Sequence, residues 1–127
     1  RYPPGWAFHG IVVGPVTEAA LALHRLLSGD LLSPASRAAM LAALPVGGPL
    51  AGRPWQQTGY GLGLMIGTMR PCGVPVSLRV AGHSAGGPGS VGAVYRARLA
   101  NGWRTVAVFA PGSDEGVVGI GPPGFFT

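Results

Sequence analysis

The order of hydrophobic periods along the chain predicts an α+β fold, in which two helices pack on an antiparallel sheet of about four strands. Three observations carry this. Apolar residues recur at helical spacing through 15–28, they alternate with small or polar residues through 60–69 and 74–81, and Asn101-Gly102 joins two further alternating segments.

In the first helix Pro15 takes the favoured opening position, Glu18 lies in the first turn, and Val16, Ala20, Leu23 and Leu27 share one face. Gly29 stops it. Ser33 caps a second, shorter helix with Pro34 in its first turn and Met40, Leu41 and Leu44 as its apolar side; Pro45 ends it. Residues 46–59 keep neither period and read as a loop; Trp55 and, just beyond it, Tyr60 read as packing aromatics, with a cleft wall as the alternative for Trp55. From 60 to 69, Leu62, Leu64 and Ile66 oppose a glycine face of Gly61, Gly63 and Gly67, which predicts a close neighbour there. Val74, Val76, Leu78 and Val80 fall together on the next strand, while Ser77 and Arg79 face the other way. Strands at 91–99 and 105–110 follow, joined by the Asn101-Gly102 turn. The tail, 115–127, reads as irregular.

Composition narrows the class. Of 127 residues 23 are glycine and 13 proline, a level typical of low-complexity chains, yet 47% are hydrophobic and only 10% charged. With a mean hydropathy of +0.37 such a chain collapses rather than staying solvated. No apolar run reaches the roughly 18 residues of a membrane span. No basic segment leading into an apolar stretch opens the chain, which starts at Arg1 in what reads as mid-loop; the expectation is a single partial domain over 1–127, cut from a longer chain. Compartment is left open among periplasmic, secreted and cytoplasmic.

All nine basic residues are arginine, which excludes a Schiff-base lysine, a phosphate-loop lysine and a Ser-x-x-Lys acylation site within these residues. Cys72 stands alone, so an internal disulfide and a multi-thiolate zinc site are excluded too. The net charge of +5 is spread from Arg1 to Arg104, with only Arg96 and Arg98 as same-face neighbours, and therefore reads as the charged edge of a sheet, not as a nucleic-acid surface. His9, His24 and His83 have no nearby carboxylates, so no metal site is read, and Asp114-Glu115 reads as a solvated turn.

One stretch could carry chemistry: Gly82-His83-Ser84-Ala85-Gly86-Gly87-Pro88-Gly89. As Gly-x-Ser-x-Gly it would be the nucleophile elbow of an α/β-hydrolase esterase with Ser84 attacking. That elbow needs a helix directly after the serine and a histidine later in the chain. Glycines and a proline follow instead, and no histidine comes after His83. The other reading puts His83 and Ser84 at the end of an edge strand, facing a cleft.

In order and spacing, Leu31-Leu32-Ser33-Pro34, Tyr60-Gly61-Leu62-Gly63-Leu64, the Gly82 to Gly89 turn and the strands after it resemble the C-terminal part of beta-lactamase-related serine hydrolases. That family includes class C beta-lactamases, penicillin-binding DD-peptidases and esterases. The resemblance covers about 5–116. It implies an acyl-enzyme acting on a beta-lactam, peptide or ester, with no cofactor. It makes His83-Ser84-Ala85 the third family motif: His83 orients protons near the attacking group and Ser84 bonds substrate. The amide of Gly86 then donates to the oxyanion. Ala85 departs from the family glycine, and neither Ser-x-x-Lys nor Tyr-x-Asn is present, so nucleophile and base are expected upstream of these residues. A small molecule or peptide is the implied partner. The competing reading outside catalysis is a binding domain that keeps only the sheet.

Overall fold

The computed structural model describes residues 13–71 and 73–113. Its centre is a six-stranded antiparallel sheet whose strands lie side by side in chain order: β1 (Leu44–Gly47), β2 (Trp55–Tyr60), β3 (Met65–Met69), β4 (Leu78–Gly87), β5 (Ser90–Leu99) and β6 (Gly102–Pro111). Two helices, α1 (Val16–Ser28) and α2 (Pro34–Leu41), precede it.

The expected four strands with two packed helices are thus corrected to a mostly β chain of six strands and two short helices. The two added strands come from sequence that lacks alternation. Residues 46–59, read as a loop, hold the end of β1 and all of β2 but its last residue, and α2 stops at Leu41, so that Leu44 and Pro45 are extended. All four residues of β1 are exposed; the strand is held by backbone pairing to β2 and not by burial. In β2 the buried positions are Trp55, Thr58 and Gly59, a spacing that matches neither period, because a register shift lies between Trp55 and Gln57. The run at 60–69 is divided in turn: Tyr60 closes β2, Met65 opens β3, and the Gly61 amide donates to the Leu64 carbonyl across the hairpin.

Helix boundaries follow the local chemistry. The Glu18 amide donates to the Pro15 carbonyl, the Gly29 amide returns to Arg25 at 2.8 Å, and the Ser33 hydroxyl accepts from the Ser36 amide at 3.1 Å. Pro15 itself stays extended as the N-cap. Leu23 and Leu27 form the buried stripe of α1 against Leu64 and Ile66, while α2 buries no residue fully and lends Met40 and Leu41 to the same cluster. A second cluster contains Trp55, Met69, Leu78, Val80, Val91 and Tyr95, with the indole of Trp55 edge-on to the Tyr95 ring. Alternation along β4 and β5 feeds both: Leu78, Val80 and Tyr95 enter this second cluster, Ala81 and Val94 the helix-side one.

Tight turns join the last three strands. Gly87 pairs with Ser90, leaving Pro88-Gly89 as the connection, and Gly89 has φ +81°, a conformation that L side chains rarely adopt. Leu99 pairs with Gly102, so the final loop is Ala100-Asn101, one residue earlier than expected. Gly89→Val is expected to destabilise the chain by about 1–2 kcal/mol through its backbone conformation alone, since nothing lies within 4 Å of the added atom. Equilibrium denaturation in urea checks this.

Candidate functional site

β4 is an internal strand, not the edge strand expected for this segment, since β3 and β5 flank it. The pairing on its two sides is unequal in length. β5 accompanies it from Val80 to Gly87, whereas β3 pairs only from Leu78 to Gly82. Among the described residues, 83–87 therefore have a strand partner on one side alone. The end of the Gly82–Gly89 stretch singled out by sequence is thus a local edge on an internal strand.

His83 opens that edge. By strand alternation it belongs to the helix side, and it borders a hollow of about 560 Å³ with Leu23, Leu26, Leu64 and Val94 among its walls. Its Nδ1 lies 2.5 Å from the Ser84 carbonyl oxygen, and its Nε2 lies 2.8 Å from the Tyr60 hydroxyl. A carbonyl only accepts, so Nδ1 carries the proton; in the neutral ring Nε2 then accepts the hydrogen that Tyr60 donates. The two rings meet edge to face at 89°. Tyr60 is 44% exposed, so a group arriving from solvent can reach the phenol.

Tyr60 was read as a packing aromatic. Register brings it near: Tyr60 pairs with Met65 and Met65 with Gly82, the residue before His83, and the phenol reaches the imidazole past the end of β3, across 23 residues of sequence. The one signal that bore on it was the Tyr60-Gly61 junction at the end of an apolar run, which marks a strand end near a turn.

His83 and Ser84 do not converge. Successive residues of a strand point to opposite faces, and the Ser84 side chain sits on the other side, 8% exposed, with its Oγ 4.0 Å from Met65 Sδ. Nor does a helix follow it: β4 runs on to Gly87 and turns into β5. The nucleophile-elbow geometry is absent at Ser84. Ala85 and Gly86 lie exposed on the open edge, and together with Val91, Gly92 and Phe109 they border a hollow of about 220 Å³.

Trp55 belongs to the buried core, not to a cleft wall. His24 is exposed on α1, where its carbonyl accepts from the Ser28 hydroxyl. His9 and Asp114-Glu115 lie outside the described residues. Among the described residues no three His, Cys, Asp or Glu side chains come together as metal ligands, and no helix is long and apolar enough to cross a membrane. Compared with protein-family models, with curated proteins and with solved structures, the chain matches none.

Proposed function

We propose that the chain is the strand-side portion of a serine hydrolase that acts through an acyl-enzyme on beta-lactam, peptide or ester substrates, with its nucleophile motif upstream of these residues. One observation carries the reading: β4 outlasts β3, so residues 83–87 offer a backbone edge beside an imidazole bonded to a phenol. A strand edge that no neighbouring strand covers is suited to an extended substrate, which adds alongside it as a further strand. The Gly86 amide on that edge is the oxyanion donor, a group whose value lies in being placed before the charge develops.

His83 and Tyr60 act as one unit. With Nε2 free of a proton, the imidazole takes the hydrogen of Tyr60 as the phenol accepts one from the attacking hydroxyl, and the flow reverses as the leaving group departs. The Ser84 carbonyl fixes the ring orientation from its own strand. Ser84 itself braces the strand from the opposite face and is not the nucleophile.

Labelling of the protein expressed from its complete reading frame with a fluorescent acylating probe tests this, the modified residue being mapped by mass spectrometry. A single labelled serine upstream of Arg1 is expected. Labelling of Ser84 would instead support the α/β-hydrolase esterase reading. No labelling, with binding of peptides retained, would support the noncatalytic binding domain.

A further inference from the structure

On the helix side of the sheet, at the end of β4 remote from His83, arginines on neighbouring strands turn toward one hollow. Arg79 of β4 and Arg96 and Arg98 of β5 line it with Trp103 of β6, and Leu27, Leu41 and Ile66 supply apolar wall. The register explains the convergence: Arg96 is opposite Ala81, and Arg98 is opposite Trp103. The Arg96 guanidinium lies 4.5 Å above the Trp103 ring and that of Arg98 lies 5.6 Å from it.

Arg96 is 6% exposed, and its Nε is buried without a hydrogen-bond partner. Directly across on β6, the buried hydroxyl of Thr105 is also without one. Burial lowers the pKa of Arg96, and the nearby charge adding to that effect is another cation, Arg37 of α2. Among the described residues the only carboxylates are Glu18 and Asp30, and neither forms an ion pair with these arginines. A buried guanidinium costs stability unless an anion meets it, and the indole face offsets only part of that cost.

We propose that this hollow binds a small organic carboxylate with an apolar body. The carboxylate forks onto Arg96, Arg98 and Arg79 complete the positive rim, and the body lies against Leu27, Leu41 and Ile66. The volume, about 430 Å³, falls within the range of small-molecule sites, roughly 300–1,000 Å³. Guanidinium suits a planar carboxylate because two parallel N–H bonds match its two oxygens. A carboxylate is favoured over a phosphate because it brings fewer charged oxygens into walls that are mainly apolar. The proposal does not rest on the hydrolase reading.

Calorimetric titration of the protein expressed from its complete reading frame with octanoate, octanamide and inorganic phosphate tests it. Octanoate is expected to bind at least roughly tenfold more tightly than either of the other two. Arg96→Met keeps the aliphatic stem and removes the buried charge; it should leave Tm unchanged or higher while weakening octanoate at least tenfold or so. Arg98→Met, at an exposed position, should also weaken octanoate and keeps the test valid if the first variant misfolds. Equal binding of octanoate and octanamide, octanoate binding unchanged in both variants, or phosphate binding as tightly as octanoate would each overturn the proposal.

Discussion

His83→Ala, made in the protein expressed from its complete reading frame, is expected to slow acylation about a hundredfold, with little change in fold stability. The imidazole is exposed and contributes to neither buried cluster, so its loss opens no cavity. What it removes is the acceptor for the Tyr60 hydrogen, and a positioned acid or base contributes roughly 10²–10⁴ in rate. Tyr60→Phe, which removes the oxygen that takes the nucleophile's proton, should cost about as much, roughly a hundredfold. Combining the two should cost scarcely more than His83→Ala alone, because neither group moves a proton without the other. Stopped-flow acylation kinetics on the four proteins check this. Simple additivity would separate the two residues.

The second large effect is on folding. Gly82→Val is expected to destabilise the chain by at least about 3 kcal/mol, enough to unfold many domains of this size. A Cβ at this position would press into the Val94 carbonyl and come within 2.6 Å of the Tyr95 ring and 2.7 Å of the Tyr95 Cα, in the middle of the β4–β5 pair. Backbone cannot turn aside as a flexible side chain would. Gly48→Ala is the contrast, since its Cβ would meet nothing within 4 Å and its φ is not positive; it should change stability by no more than about 0.5 kcal/mol. Urea denaturation of the two variants separates close approach from loss of glycine as such.

Where local chemistry decides structure, the elements were legible. The stop at Gly29, the Ser33 cap with Pro34 behind it, and the alternation through Leu78, Val80 and Tyr95 each act within a few residues. β1 and β2 were not legible, because partners hold them: Leu44–Gly47 buries nothing, and Trp55–Tyr60 buries Trp55, Thr58 and Gly59 around a register shift. Of the three glycines expected to face a close neighbour, Gly61 and Gly67 do, against the Met40 and Gln57 carbonyls, whereas Gly63 has nothing within 4 Å and instead takes a positive φ of 72°.

At the candidate site, local sequence singled out a segment but not its geometry. Placing His83-Ser84 at a strand's end allowed both side chains to face one cleft. Once β4 is seen to continue to Gly87, alternation alone separates them. The partner of His83 could not be read from local sequence, because Tyr60 reaches it only through the pairing of β2 with β3 and of β3 with β4.

The most direct measurement is a crystal structure of the protein from its complete reading frame, trapped as its acyl-enzyme. The account predicts the acyl carbonyl oxygen within roughly 2.7–3.1 Å of the Gly86 amide nitrogen, and the Tyr60 hydroxyl facing the ester oxygen. An acyl group carried on Ser84, or one seated away from the open edge of β4, would contradict it.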